Sequence, residues 1–334
     1  MSVPPAPIPA PSPAPATTQK IFVTGATGYV GRHVVRQLAL RGFAVRALTR
    51  PASGEMPASD SSTIAAKARE FHSGSVTDAA SLKGACDGCD AVIHLVGIIN
   101  ETEDTMEHVH VEGTRNVVAE AKRAGVKRFI YLSGLGARAG AVAKYHQTKY
   151  AAEQIVTASG MEAYNFQAST IFGPEDEFLN LFVKFAQNIF NPAYPPWPIM
   201  PAIGGGNSFL QPIWVEDVAA ILTRACEVDF AQRTPPGVYQ IGGPEPLTFK
   251  QIMNIACRVA GRKRIFVPIP IFAAKIIATL LEKFTSKPLL TNDQVIMLQE
   301  DGRAKNNKSA EILGREPRTM WDYAQEQFKI PATT

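Results

Sequence analysis

The 334-residue sequence predicts an α/β fold with a parallel, doubly wound sheet, on two observations. Short β-branched strands alternate with helical stretches in the first half of the chain, and a glycine-rich turn joins the first strand to the first helix. Apolar residues make up 46% of the chain and charged residues 19%, which excludes wholesale disorder, collagen and coiled coils. The length fits one large α/β domain or two ordinary ones.

The elements of the first half follow in strand and helix order. Residues 20–25 form a β-branched run that leads into a glycine turn, and apolar residues at helical spacing follow the turn. This alternation is typical of a Rossmann-type sheet, in which each helix crosses over to the next parallel strand. Further strands are predicted at 45–48, 90–95 and 128–132, and helices at 107–124 and 143–159.

After Phe166 the alternation ends, and a smaller, mostly helical C-terminal part is predicted. Residues 191–201 carry five prolines, too many for a helix or a central strand, and mark the change of architecture. Helices are predicted at 215–227, 248–260, 271–284, 292–299 and 319–328, with one strand at 238–241.

The N-terminal residues and the charge balance exclude several classes of protein. Residues 1–19 hold seven prolines and no charged side chain, which predicts a disordered, Pro/Ala-rich tail rather than a signal peptide. The net charge of +4 is weak and dispersed, so we expect no nucleic-acid partner. Four cysteines are too few for a disulfide scaffold and indicate a reducing compartment, the cytoplasm.

Two groups of residues raise the question of a metal or redox site. Cys86 and Cys89 form a CxxC pair, but no second pair completes the spacing of a zinc site, and a turn with two inert thiols is favoured over a redox role. His94, His108 and His110 lack a carboxylate arrangement that closes a ligand set. The sequence therefore predicts no metal.

The helix predicted at 271–284 places Phe272, Ile276, Leu280 and Phe284 on one face. At 14 residues it is too short to cross a bilayer. Packing of this face on the protein's own core is the favoured interpretation. The alternative is a helix that docks a partner protein or lies on a membrane surface. In the second case the protein would be peripheral to a membrane.

A GxxGxxG pattern stands between the first predicted strand and the first predicted helix. Gly25 permits the tight turn, Gly28 lets the backbone approach a pyrophosphate, and Gly31 lets the helix pack close to the sheet. The free amides and the dipole at the helix start attract the phosphates. The pattern therefore predicts a dinucleotide site, and a glycine turn without a ligand is the alternative.

The second strand ends in basic residues instead of a carboxylate. A dinucleotide fold that prefers NAD places an acidic residue here, near the adenosine ribose, whereas this chain has Arg46 and Arg50. Arg50, aided by Arg32, is suited to pair with a 2′-phosphate. The sequence thus favours NADP(H) over NAD(H), although a solvated surface arginine would give the same pattern.

Tyr145 and Lys149 lie four residues apart on a predicted helix, so both project from one face. A nearby ammonium lowers the pKa of a tyrosine, and the phenol can then exchange a proton near neutral pH. The same lysine can bond the ribose of a nicotinamide. The pair alone is common by chance, but its place after the strand at 128–132 makes it more specific.

These motifs together resemble the short-chain dehydrogenase/reductase superfamily, in its extended or atypical branch, from about residue 20 to residue 328. The likeness includes VEGTRNV at 111–117, AGVKRFIY at 124–131 and IFGPED at 171–176. QPIWVEDVA at 211–219 and LTNDQV at 290–295 resemble the subgroup that contains the nucleotide-binding accessory subunit of respiratory complex I and its bacterial relatives.

The resemblance implies which residues hold the dinucleotide. Its phosphates would lie on residues 27–30, its 2′-phosphate near Arg50, and its nicotinamide side near Lys149. The implied cofactor set is Gly25, Thr27, Gly28, Tyr29, Val30, Gly31 and Arg50, then Ser75 and Val76 near the adenine, Leu95, Val96 and Gly97 beside the ribose, and Lys149.

The resemblance also implies a catalytic hydroxyl after the fifth strand, and here the chain departs from the pattern. Active members have a Ser or Thr pair, whereas this chain reads Ser133-Gly134-Leu135, with Leu135 at the catalytic position. Ser133 is the remaining candidate, beside Tyr145 as general acid/base and Lys149. His110 stands where many members have an asparagine.

Two functional hypotheses follow. Residues 20–170 are expected to form the dinucleotide-binding domain, and residues 171–330 a smaller region, interleaved with it, for a substrate or partner. The first hypothesis is an NADP(H)-dependent oxidoreductase acting on a small or isoprenoid-like carbonyl. The second is a non-catalytic NADPH-binding subunit or sensor that docks a larger, respiratory-type complex. Leu135 favours the second and Tyr145 the first, because a binding-only protein has little use for the tyrosine.

Overall fold

The computed structural model describes residues 19–50, 68, 70–101, 104–187, 199–285 and 288–328. The expected tail, apart from Gln19, and residues 191–198 of the proline-rich segment lie outside the described residues. In chain order the strands are β1 (Lys20–Thr24), β2 (Ala44–Thr49), β3 (Glu70–Ser73), β4 (Ala91–His94), β5 (Arg128–Gly134), β6 (Glu162–Ala168), β7 (Ile171–Phe172), β8 (Ile199–Ile203), β9 (Phe209–Leu210), β10 (Ile213–Trp214), β11 (Gly237–Ile241), β12 (Leu247–Thr248) and β13 (Ile265–Ile269).

The helices alternate with strands through the first half and dominate the second. A π-helical turn at Glu107–Glu112 leads directly into the second helix, so the stretch predicted as one helix has two parts. The α-helices are α1 (Tyr29–Leu40), α2 (Gly113–Arg123), α3 (Lys144–Thr157), α4 (Leu179–Gln187), α5 (Val215–Arg224), α6 (Val228–Arg233), α7 (Phe249–Val259), α8 (Ile271–Phe284), α9 (Asn292–Met297), α10 (Ser309–Leu313) and α11 (Met320–Phe328).

Seven parallel strands build the central sheet, in the order β11-β6-β5-β4-β1-β2-β3. The chain adds strands outward from β1 in one direction and then returns to β4 on the other side of β1. This reversal opens a crevice beyond the carboxyl ends of β1 and β4. The predicted α/β class with a doubly wound parallel sheet is confirmed.

Helices cover both faces of the sheet. On one face, α1 and α5 pack on the strands through Val34, Leu38 and Leu222. On the other face, α2 and α3 pack through Val117 and Val156. Since both faces are covered, the central strands are almost wholly buried, as their β-branched and aromatic composition requires.

The described C-terminal elements form pairs of short strands beside helices. β7 pairs with β10, β8 with β13, and β9 with β12. A separate apolar cluster, with Phe172, Leu179, Ile252 and Tyr323 among its members, joins these strands to α4, α7 and α11. β11 lies in the central sheet, so the second half of the chain also contributes to the first layer.

The favoured interpretation of α8 is wrong. The face predicted to pack on the core is exposed, and 70% of Phe272 and 73% of Phe284 remain accessible. The residues that α8 buries are the alanines Ala274 and Ala278, on another side of the helix. Among the described residues, no helix has the length and apolar character needed to cross a membrane.

Glu216 at the start of α5 ties that helix to α1. Its Oε1 lies 2.5 Å from His33 Nδ1, its Oε2 accepts from Gln37 Nε2 at 3.0 Å, and Arg36 forms an ion pair with it. Burial alone would raise the pKa of Glu216, but the hydrogen bonds from these three side chains lower it to about 2. The carboxylate is therefore well satisfied at the helix junction.

We expect Glu216→Gln to lower the free energy of unfolding by about 2 kcal/mol at pH 7, because it removes a mostly buried ionic partner. The carboxylate's contribution is fully present above the ordinary pKa of 4.5 and is lost as the pH falls through about 2. The difference from wild type in urea unfolding should therefore shrink between pH 7 and pH 3. Glu227→Gln breaks the more exposed ion pair with Arg41 and should cost less than about 1 kcal/mol. Equal losses in both variants would contradict this account.

Candidate dinucleotide and active site

The turn between β1 and α1 requires glycine at two positions. Gly25 has a φ of +70°, in the left-handed region. A Cβ on Gly31 would lie 2.0 Å from the carbonyl oxygen of Gly25, far inside van der Waals contact. The turn is closed by Gly28 N, which donates to Gly25 O at 3.0 Å. The absence of side chains thus lets α1 begin directly against the end of β1.

The start of α1 is open to an anion. Gly28 caps the helix without a side-chain hydrogen bond, and the first turn holds no acidic residue. Free amide groups and the helix dipole favour a phosphate there. Thr27 is exposed beside this position, and Val30 is half-buried.

The side chain of Tyr29 points to the C-terminal part of the chain. Its ring packs edge-on against His33 at 5.8 Å, and its hydroxyl lies next to Gly173. Burial raises the pKa of the Tyr29 phenol, and the nearby charge of Asp176 adds a smaller effect in the same direction. Tyr29 is therefore suited to meet a phosphate through its backbone amide.

The loop after β4 meets the glycine turn at the crevice. A Cβ on Gly25 would lie 3.2 Å from both Leu95 C and Val96 N, so the two backbones are in contact. Two residues on, a Cβ at Gly97 would lie 3.4 Å from His110 Nε2 and 3.5 Å from Lys149 Nζ. The fold therefore brings Leu95, Val96, Gly97 and Lys149 to the edge of the sheet where the glycine turn lies.

Arg50, Ser75 and Val76 follow the next two strands at the same edge. Gly74 N donates to Thr49 O at 2.8 Å and joins the ends of β2 and β3, so exposed Arg50 and the loop at 75–76 are neighbours. Val76 O accepts a hydrogen bond from Asn116 Nδ2 at 2.9 Å. The basic group and the predicted adenine contacts thus extend the crevice in one direction.

Arg32 makes a contact that sequence reasoning missed. Its Nη1 donates to Glu175 Oε2 at 2.8 Å, in the C-terminal part of the chain. Glu175 itself has a φ of +64°. This ion pair holds Arg32 beside the IFGPED segment, so the expected help to Arg50 stays a prediction.

Lys149 is a buried ammonium at the centre of the site. Its Nζ donates to Leu132 O at 2.7 Å and lies 4.3 Å from the centroid of the Tyr131 ring. Burial lowers the pKa of Lys149 to about 7, although the charge of Glu153 opposes the shift. A group so close to half-protonation at neutral pH responds strongly to any added negative charge.

Tyr145 lies one turn before Lys149 on α3. The expected lowering of its pKa by the ammonium is wrong for this structure, because burial raises the pKa of Tyr145 to about 12. Its ring packs on Gly134, where a Cβ would lie 2.7 Å from Tyr145 Cε1, and edge-on against His110 at 5.6 Å. The phenol therefore keeps its proton at neutral pH.

Ser133 is buried on β5, and its Oγ has no hydrogen-bond partner among the described residues. Burial raises the pKa of the Glu153 carboxyl, and Gln167 Nε2 donates to Glu153 Oε1 at 3.0 Å. Gly134, the next residue of β5, lies against the Tyr145 phenol, and half-buried Leu135 follows it. A catalytic role for Ser133 stays a prediction.

His110, which the resemblance matches to an asparagine of many relatives, is neutral. Its Nε2 accepts from Ile98 N at 2.9 Å, so the ring proton is on Nδ1, which donates to Thr148 Oγ1 at 2.8 Å. Burial, followed by the charge of Lys149, lowers the pKa of His110 to about 3. The histidine therefore fixes the loop after β4 against α3 without competing for a proton.

Asp293 in α9 supports α3 from the far end of the chain, a contact that no local pattern indicates. Its carboxylate accepts from Lys144 N at 2.7 Å and from Tyr145 N at 3.0 Å. These amides open α3, so Asp293 satisfies two of the donors that a helix start leaves without partners. The C-terminal part thereby fixes the position of the helix that carries Tyr145.

The four cysteines are free and buried. Burial raises the pKa of the Cys86 thiol and raises that of Cys89 to about 11, so both stay protonated, as the inert-turn interpretation expects. No group of three or more metal-ligating side chains occurs within the described residues. The cytoplasmic location stays a prediction.

Residues 21–242 match the NAD dependent epimerase/dehydratase family, and the chain belongs to that family. The chain is 31% identical over 255 residues to ceramide reductase of Caulobacter vibrioides, covering 75% of this chain and 73% of that protein. It is 27% identical over 303 residues to NADH dehydrogenase (ubiquinone) 1 alpha subcomplex subunit 9, mitochondrial, of Arabidopsis thaliana, covering 85% and 71%. These relatives confirm the resemblance stated above.

A solved structure of an NADPH-dependent quinone oxidoreductase, QOR2 of Escherichia coli with NADPH, has the same fold. It matches with a TM-score of 0.69 over 92% of this chain and 99% of that one, at 18% identity. The family uses a nicotinamide dinucleotide, and the crevice fits one. The glycine turn leaves a cradle that a Cβ would fill, the helix start is uncapped, and Lys149 lies beside Gly97.

We expect Gly97→Ala to weaken dinucleotide binding at least tenfold, which is about 1.4 kcal/mol. The new methyl group fits the fold, since its nearest atoms are 3.4 Å away, but it occupies the space between His110 and Lys149. Fluorescence titration with NADPH and thermal unfolding measure the two effects separately. Gly237→Ala in β11, whose nearest atoms lie 3.8 Å away, is the matched control and should bind normally. Unchanged affinity in Gly97→Ala would remove Gly97 from the site.

Proposed function

We propose that the protein is an NADP(H)-dependent oxidoreductase that reduces the carbonyl group of a small or isoprenoid-like substrate. The observation that carries the proposal is the pair on α3. Lys149 lies against Gly97 on one side of the crevice, and the phenol of Tyr145 lies one helical turn away against Gly134. A proton donor and a cation thus share the end of the sheet at which this fold binds its cofactor.

The residues divide the work of carbonyl reduction. A bound nicotinamide supplies the hydride. Tyr145 holds a proton on its hydroxyl and gives it to the carbonyl oxygen as negative charge develops there. Burial raises the pKa of this phenol to about 12, so the phenol is protonated at neutral pH when the carbonyl binds. Lys149 would bond the ribose of the nicotinamide, and the negative charge of the bound dinucleotide would favour its protonated form.

The 2′-phosphate assignment rests on Arg50. An exposed guanidinium follows β2, and the acidic residue that would repel a phosphate is missing from the end of that strand. A planar guanidinium pairs well with a phosphate. The reductase name of the Caulobacter relative supports a reduction as the reaction class.

A second function has its own support. By the resemblance, Leu135 stands where active relatives carry a hydroxyl, and the Arabidopsis relative is by name a subunit of NADH dehydrogenase. Under this alternative the protein is a non-catalytic subunit or sensor in a larger complex. Bound NADPH would then stabilise the fold by mass action without turnover.

Tyr145→Phe separates the two functions. Under the oxidoreductase proposal, NADPH oxidation with a panel of carbonyls and quinones falls at least about 100-fold, because the proton donor is lost. The Kd for NADPH should change less than twofold. Tyr150→Phe, on the same helix, is the matched control and should keep its turnover. Turnover that survives in Tyr145→Phe would exclude the acid role, and NADPH binding without turnover in the wild type would favour the subunit.

Arg50→Asp tests the choice of cofactor. We expect NADPH affinity to fall about 100-fold, because an attractive contact becomes a repulsive one, while NADH affinity changes less than about threefold. Parallel titrations with both nucleotides measure the ratio. Arg233→Asp, an exposed arginine at the end of α6, controls for the change in net charge. An equal loss for NADPH and NADH would refute the 2′-phosphate assignment.

A further inference from the structure

Helix α8 is apolar on most of its sides, yet the protein covers only part of it. Ala274 and Ala278 are buried, in one apolar cluster with Val295 of α9. The larger apolar side chains project into solvent. Their exposed fractions run from 42% for Ile277 to 73% for Phe284. A helix that is hydrophobic all round is normally buried, so the exposed apolar side of α8 suggests that a partner binds there.

The exposed side chains form a continuous patch. At about 100° per residue, they span an arc of roughly 140° on the side of α8 away from the two alanines. Of the fifteen large apolar side chains exposed among the described residues, five belong to this one helix, so they are not the usual scatter of surface residues. We call these five residues the α8 arc: Phe272, Ile276, Ile277, Leu280 and Phe284.

Glu282, the acidic residue of α8, forms a hydrogen bond with the neighbouring helix α9. Asn292 of α9 donates from Nδ2 to Glu282 Oε2 at 2.7 Å and to Thr279 Oγ1 at 2.9 Å. Thr279 and Glu282 therefore lie on the edge that faces α9. The arc itself carries no carboxylate, and exposed Lys283 projects within it, its Nζ 5.8 Å from the centroid of the Phe284 ring.

The net positive charge of the chain lies in the stretch of sequence that contains α8. Residues 262–285 hold five basic side chains and one acidic one, a net charge of +4. The whole chain has 34 basic and 30 acidic residues, also +4, so the remaining residues are neutral overall. Arg262 and Lys263 before β13, and Lys275 and Lys283 on α8, are exposed. An apolar patch on a helix that also carries two exposed lysines complements an anionic lipid surface.

We propose that α8 binds the surface of a membrane that contains anionic phospholipids. The arc enters the boundary between headgroups and acyl chains, and the lysines extend their amines to the phosphates. A helix of 14 residues lies in this interface rather than crossing it. A second copy of the chain is the poorer partner, since a symmetric contact would bring the same basic groups together. This inference is independent of the proposed function.

Vesicle flotation of the full-length protein tests the proposal. We expect binding to phosphatidylcholine vesicles with 30% phosphatidylglycerol, at least tenfold weaker binding to pure phosphatidylcholine, and loss of binding as salt rises. Ile276→Glu and Leu280→Glu should each reduce binding at least tenfold. Lys275→Glu together with Lys283→Glu should remove the preference for the anionic lipid.

The control is Val228→Glu, which replaces a comparably exposed apolar residue at the start of α6 and should bind like the wild type. Circular dichroism and thermal unfolding check that the variants fold. Failure of the wild type to bind anionic vesicles at low salt would overturn the proposal, as would normal binding by the Ile276 and Leu280 variants. Light scattering that finds a dimer, dissociated by Ile276→Glu, would also overturn it and assign the arc to a second copy.

Discussion

The architecture of the site depends on how closely α1 approaches β1. With a carbonyl oxygen 2.0 Å from the position of a Cβ on Gly31, no side chain fits between turn and helix. Because α1 begins so close to β1, its first amide groups face the crevice beyond the carboxyl ends of β1 and β4. The close packing of α1 and β1 also brings Gly25 into backbone contact with the loop after β4. In that loop, Gly97 lies beside Lys149. One contact between backbones thereby fixes the positions of the helix start and of Gly97, the two ends of the proposed dinucleotide site.

The second constraint is the burial of the Lys149 amino group. Lys149 is 3% exposed, and its charge is a cause of the low pKa of both His94 and His110, after burial itself. Both rings are neutral and fully occupied by hydroxyl and amide partners, so they add no charge to the site. Negative charge brought by a dinucleotide would restore the ammonium of Lys149. The site is therefore electrostatically prepared for an anionic ligand, while the high pKa of Tyr145 preserves its proton.

Local patterns predicted the sheet and the glycine turn, since strand composition and helical spacing act within a few residues. They missed β6, because Asn165 and Gln167 interrupt its apolar run. The structure buries both side chains and gives their amides partners on α3, Thr157 and Glu153. The spacing of α8 correctly predicted a helix but not which side is covered, because small alanines take the packed side. The cap from Asp293 joins residues 148 and 149 positions apart, which no local pattern records.

Two consecutive residues of α9, Asn292 and Asp293, connect α8 to α3. Asn292 bonds to α8, and Asp293 caps the helix that carries Tyr145. The hydrogen bonds that link α8 to the start of α3 thus pass through two adjacent residues, and a cap of this kind contributes about 1 kcal/mol to a helix. An isoprenoid-like carbonyl partitions into a bilayer, so an enzyme for it gains from lying on that surface. An isoprenoid-like substrate, if that is the one used, and the exposed α8 arc therefore fit one arrangement in which the membrane holds both the protein and its substrate.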